Sequence, residues 1–179
     1  MLSYNVVDLL RSAPGTTQRI PLDVADLPIA DDVRLASPIA GEVRLSRTSR
    51  SILVRGHLDT ALAERCSRCL RPAVAPVSVD LDEEALPSID LDSGLPLDTS
   101  ADPDALRIDD HHELDLAPAL RDAISLAEPI APLCRPDCPG LCPECGIRME
   151  PGHGHGEEPI DPRLEALRAF RVDADDESG

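Results

Sequence analysis

Four cysteines fall within twelve residues, Cys134-Arg-Pro-Asp-Cys138-Pro-Gly-Leu-Cys142-Pro-Glu-Cys145, spaced C-x3-C-x3-C-x2-C. This stretch constrains the fold more tightly than any other. Gly146 closes the last pair, so the backbone can turn and aim its amides at sulfur. Two such pairs supply the four soft ligands that Zn²⁺ prefers in a tetrahedron. Pro136, Pro139, Gly140 and Pro143 stiffen the loop and reduce the entropy lost when a metal gathers the thiolates. The expected site is Cys134, Cys138, Cys142 and Cys145 around a structural Zn²⁺.

A second pair, Cys66-Ser-Arg-Cys69, leaves the pairing open. The C-terminal four can form a site alone, or Cys66 and Cys69 can join Cys142 and Cys145 across the fold, as in a zinc ribbon. A short loop costs less entropy to close than a long one, which favours the local set. Disulfides are the weaker option. The N-terminal residues have no basic start and no uninterrupted apolar run, so neither a signal peptide nor a membrane span is expected, and a reducing cytoplasm is.

Only one Tyr, one Phe and no Trp are present among 179 residues, so core volume must come from Leu, Val, Ile and Ala. Metal cross-linking helps a chain with so modest a core. The formal charge is −17, and every basic residue is Arg.

Residues 4–11 suggest a short helix or a strand end, and 16–38 read as irregular. Val43 and Leu45 then alternate with polar neighbours, as do Ile52, Val54, Leu58 and Leu62, and Val77, Val79 and Leu81. A period of two predicts three antiparallel strands, with the Cys66/Cys69 knuckle joining the second and third. Gly56 marks a bulge or a close backbone approach. Thirteen acids and a single Arg occupy 80–115, which reads as a solvated loop. Asp115 and Pro118 then open a helix carrying Leu116, Leu120, Ala123, Ile124 and Ala127, ended by Pro129. A short helix is expected from Asp161 to Phe170, and an acidic, disordered tail from Asp173.

These residues together resemble the YceD family, bacterial and plastid proteins linked to accumulation of large-subunit ribosomal RNA. The resemblance rests on Gly41-Glu-Val-Arg-Leu-Ser-Arg47, Ile52-Leu-Val-Arg-Gly56 and Cys66-Ser-Arg-Cys69-Leu70. It continues through Asp115-Leu116, Leu126-Ala127-Glu128-Pro129 and the clustered cysteines, and covers most of 40–170. The ending Asp161-Pro162-Arg163-Leu164 is similar to the actinobacterial branch. The resemblance implies a non-enzymatic role in large-subunit biogenesis, with 23S rRNA, a pre-ribosomal particle or a ribosomal protein as partner.

Seven Arg lie between 44 and 71 against only Asp59 and Glu64. Arg44, Arg47, Arg55, Arg68 and Arg71 are the candidate RNA or partner contacts, since guanidinium forks bind phosphate. The competing reading pairs these Arg with the acidic loop and with water. His153 and His155 look exposed, with a stand-in ligand as their other role. A closed all-cysteine set matches structural rather than catalytic zinc, and no phosphate loop, Ser-centred elbow or zincin helix appears.

The expected fold is α+β, with an antiparallel sheet over 40–82, a packing helix near 115–128 and a C-terminal zinc module. The expected segments are 1–39, a β-rich core at 40–130, the Cys-rich module at 131–171 and a tail at 172–179. Other readings are an acidic protein–protein adaptor without RNA contact, and a thiol redox sensor.

Overall fold

The computed structural model describes residues 2–98, 105–155 and 163. The chain divides into two units, Met1–Cys138 and Pro139–Gly179. The first unit runs β1 (Ser3–Asn5), α1 (Val7–Arg11), β2 (Thr17–Val24), β3 (Leu35–Arg47), β4 (Ile52–Arg65), β5 (Pro72–Pro87), β6 (Leu106–Ile108), β7 (Glu113–Asp115) and α2 (Ala117–Leu126). The strands form one mixed sheet in the order β1-β7-β6-β5-β4-β3-β2. Neighbours are antiparallel except β5 and β6, which run parallel.

The three long strands arise from the alternation of their side chains. Val43, Leu45, Val54, Leu58, Leu62, Val77, Val79 and Leu81 point to one face and are buried. In register on the other face stand Arg44, Arg55 and Asp82, and beside them Glu42, His57 and Asp80. Against the apolar face pack Leu9 and Leu10 of α1, and Leu116, Leu120 and Ile124 at α2, in one continuous core. Each such Leu or Ile contributes roughly 2 kcal/mol of burial free energy. Gly56 faces this core opposite Val43. A Cβ there would lie 2.8 Å from the Glu42 carbonyl oxygen and 2.9 Å from Val43 Cγ2. The glycine therefore marks a close backbone approach.

Sheet dominates this fold, which corrects the α+β expectation. The two described helices have five and ten residues. Residues 4–11 are both a strand end and a helix. The stretch 16–38, expected to be irregular, contains β2 and the start of β3. Pro21 masks the strand pattern there, but β2 is an edge strand, where a missing N–H is tolerated. The acidic segment is also more ordered than expected. β5 continues to Pro87, Ile89 bridges Pro96, and β6 and β7 follow. Within it the Asp90 carboxylate accepts Ser93 Oγ at 2.7 Å and Ser93 N at 2.8 Å, which holds its pKa below the usual carboxylate range. The helix expected near 115–128 spans Ala117–Leu126, and Asp115 Oδ1 accepts the Ala117 amide at 2.9 Å.

In the second unit a small hairpin forms as Leu141 pairs with Arg148. The Met149 amide donates to the Gly140 carbonyl at 3.1 Å, and the Cys142 amide to the Ile147 carbonyl at 2.7 Å. The helix expected over 161–170, Arg163 aside, and the tail from Asp173 lie outside the described residues. Among the described residues no helix is long and apolar enough to cross a membrane.

Candidate metal centres

The β4–β5 turn and the segment after α2 build the first centre. Cys66 follows β4 and Cys69 closes the turn, while Cys134 and Cys138 arrive beyond the helix. The Cys66 amide donates to the Arg71 carbonyl at 2.8 Å and the Leu70 amide to the Cys66 carbonyl at 2.9 Å. Leu70 sits in the left-handed region with φ 59° to complete the turn. Two bonds dock the incoming segment, from Ser67 N to the Pro132 carbonyl at 2.8 Å and from Arg68 Nη1 to the Cys138 carbonyl at 3.0 Å.

Four sulfurs converge as a result. Cys66 and Cys138 Sγ are 3.7 Å apart, Cys69 and Cys134 Sγ 3.6 Å, and all four lie within 4.8 Å of one another. A zinc tetrahedron with Zn–S bonds near 2.3 Å has S···S edges of about 3.8 Å. Disulfide sulfurs would be about 2 Å apart, and none of these four cysteines is joined in a disulfide. Cys66, Cys69 and Cys138 are buried and Cys134 is half-buried.

Backbone amides prepare the thiolates that metal requires. The Cys134 amide, helped by those of Cys69 and Arg68, brings the Cys66 pKa down to about 6 against the opposing effect of burial. The Arg71 amide and then its guanidinium lower Cys69, and that thiolate in turn raises Arg71. Arg71 thus offsets the negative charge of the Cys69 thiolate.

The second centre is local to the second unit. Gly146, at φ 70°, donates its amide to the Cys142 carbonyl at 2.9 Å and folds the knuckle. The ligand atoms of Cys142, Cys145, His153 and His155 lie within 4.8 Å of one another. Cys145 Sγ is 3.5 Å from His153 Nε2, and the two histidine Nε2 atoms are 3.0 Å apart. Glu144 Oε2 meets His155 Nδ1 at 3.0 Å. The Cys145 amide, with His153 assisting, lowers the Cys142 pKa to about 6. Both groups could hold a metal ion.

A family model described as "Large ribosomal RNA subunit accumulation protein YceD" matches residues 54–171, from β4 through every residue of both centres. The chain belongs to the YceD family. Uncharacterized proteins of Mycobacterium bovis and Mycobacterium tuberculosis are each 39% identical over 129 residues, 70% of this chain and 58% of theirs. An uncharacterized protein of Mycobacterium leprae is 35% identical over 133 residues, 73% of this chain and 58% of its own. The chain thus spans 58% of the length of these curated relatives. No solved structure matches.

Within this YceD chain the clustered cysteines do not gather in one group. Cys134 and Cys138 join Cys66 and Cys69, while Cys142 and Cys145 join His153 and His155. Each of the two groups that could hold a metal ion thus takes two of the four clustered cysteines. Loop entropy decides only when nothing else closes the loop. Here α2 packs on the sheet and returns the chain to the β4–β5 turn. The two histidines are the ligand candidates that sequence reasoning set aside, and their signal was His-Gly-His soon after Cys-x2-Cys.

The five Arg of the expected contact patch are divided. Arg44 and Arg55 are cross-strand partners on the open face, and Arg55 Nε meets Asp82 Oδ1 at 2.9 Å. Arg47 turns inward, donating to the Leu10 carbonyl at 3.0 Å and the Ser51 carbonyl at 3.1 Å, and so pins α1 to the β3–β4 turn. Arg68 and Arg71 flank the first cysteine group.

Proposed function

We propose that this chain is a non-enzymatic factor in ribosome large-subunit biogenesis. It supports accumulation of 23S rRNA in the cytoplasm, with a structural Zn²⁺ held by Cys66, Cys69, Cys134 and Cys138. The observation that carries this reading is the family match, which names large-subunit rRNA accumulation and spans all four cysteines. Four thiolates fill a tetrahedron and leave no position for a substrate, as structural zinc requires. The ion would tie the β4–β5 turn to the segment after α2; the remaining residues present the sheet's open face and the Arg68–Arg71 edge to a partner.

The test is a depletion strain complemented with the chain carrying Cys66→Ser and Cys138→Ser. Depletion should lower the 23S to 16S ratio and free 50S particles, and the unaltered chain should restore them where the variant does not. An unchanged rRNA ratio on depletion overturns the reading.

The open face favours a second reading of the contact. Arg19, Arg44 and Arg55 share it with Glu42, Asp59, Asp80 and Asp82, and ion pairs join Arg19 to Glu42 at 3.3 Å and Arg55 to Asp82 at 2.9 Å. Phosphate contacts need an excess of cations, which this face does not offer. A basic ribosomal protein is the alternative partner. Binding to naked 23S fragments that weakens steeply with salt and is lost in Arg44→Ala/Arg55→Ala supports RNA; binding lost instead in Asp80→Asn/Asp82→Asn supports protein.

A further inference from the structure

Cys142, Cys145, His153 and His155 present a donor set unlike the first. We propose that these four residues bind a second zinc ion, that this ion folds the segment after Cys138, and that it exchanges with solution while the all-thiolate ion is retained. The proposal is independent of the ribosomal reading, and its failure would leave that reading intact.

Three observations support it. The first is the geometry of the donors. A Cys2His2 tetrahedron with Zn–S near 2.3 Å and Zn–N near 2.0 Å needs donor separations of about 3.3–3.8 Å. The contact from Cys145 Sγ to His153 Nε2, at 3.5 Å, falls in that range, and the two Nε2 atoms, at 3.0 Å, need only a small opening.

The second is the orientation of His155. Its Nδ1 faces Glu144 Oε2 at 3.0 Å while its Nε2 faces the cluster. A carboxylate on the outer nitrogen keeps the proton there and aims the bare Nε2 lone pair inward, the arrangement that supports ligating histidines. Glu144 lies inside the Cys142–Cys145 knuckle, so one turn supplies two ligands and the group that orients a third.

The third is what holds the unit together. Among its described residues, 139–155 and 163, only Gly140 and Cys142 are buried, so these residues form no apolar core of their own. A few backbone hydrogen bonds do not offset the conformational entropy of ordering such a segment. Metal binding supplies that free energy in small domains of this kind. Exposure sets the difference in exchange. Cys145 and His155 are exposed, whereas three of the four thiolates of the first group are buried, so a chelator reaches the second ion first.

The experiment uses the full chain, purified anaerobically, with zinc counted by mass spectrometry before and after dialysis against a mild chelator. Two zinc ions per chain should fall to one. A His153→Ala/His155→Ala variant should carry one from the start, with no chelator-labile fraction and an unchanged far-UV spectrum of the sheet. Replacing zinc by Co²⁺ should give ligand-field bands of mixed sulfur–nitrogen type in addition to those of four-sulfur type, and the variant should lose only the mixed set. Glu144→Gln should weaken Co²⁺ binding at this site by about 10- to 100-fold without abolishing it. A single zinc in the unaltered chain before dialysis overturns the proposal, as does a histidine variant that still holds two.

Discussion

The two cysteine groups that could hold a metal ion are assembled by opposite routes. The first joins a turn between two long strands to a segment that follows a packed helix, and its sulfurs are largely buried. The second is assembled from neighbours in sequence, within a hairpin whose described residues are mostly exposed. In the first, the sheet and α2 place the ligands. In the second, one short hairpin carries all four ligand candidates. An ion of the first kind therefore reports on the whole fold, and one of the second kind on a single hairpin.

The largest expected effect would break that contrast if it failed. Cys66→Ser or Cys138→Ser leaves three thiols in a largely buried cluster one ligand short, and the loss should be about 3 kcal/mol or more of sheet stability in urea melts, together with one zinc. Cys145→Ser should leave the sheet's midpoint nearly unchanged. Equal losses from both would mean that the second centre also supports the sheet.

A smaller effect separates scaffold from ligands. Gly56→Ala places a methyl group against the Glu42 carbonyl and Val43 Cγ2, costing about 1–3 kcal/mol by overpacking. Melts should show that loss, with zinc content unchanged. Zinc lost in parallel would mean that the first centre cannot survive a loosened sheet. Arg68→Ala removes the bond to the Cys138 carbonyl, with an expected cost of about 1 kcal/mol and faster zinc release from the first centre alone. Release from the second centre at the same rate would count against a local role for Arg68.

The smallest effect supplies a baseline free of ligands. His57 Nδ1 meets Asp80 Oδ1 at 2.7 Å, and that hydrogen bond raises its pKa, with the charges of Asp80 and Asp59 adding to it. A raised folded-state pKa means that the imidazolium adds stability below the unfolded value, around pH 6.5, and that this is lost as pH rises through the folded value. His57→Gln should flatten the slope of stability against pH just above 6.5 by a small amount, since the group is exposed. An unchanged slope would assign the pH response to other groups, the thiolates first among them.

Much of the sheet was legible because period-two alternation is a local signal. Val43 and Leu45, Ile52 to Leu62, and Val77 to Leu81 revealed β3, β4 and β5, and Gly56 announced the close approach. β2 was hidden because Pro21 and Asp23 interrupt a pattern that an edge strand can tolerate. β6 and β7 were hidden because three residues carry too little periodicity, and their pairing with β5 and β1 is fixed by distant neighbours. Acidic residues after Val79 also read as a loop, although Asp80 and Asp82 simply occupy the open face of a strand.

By itself the sequence determined that cysteines gather metal-type ligands in tight turns, that three long strands carry one apolar face, and that a helix near Leu116 returns the chain toward Cys134. Only the tertiary structure decided which ligands share a centre. That choice depends on where α2 comes to rest on the sheet, through Leu116, Leu120 and Ile124, and hence on which turn Cys134 and Cys138 meet. Spacing along the chain measures the entropy of closing a loop. It does not register that the packing of α2 on the sheet also closes the loop.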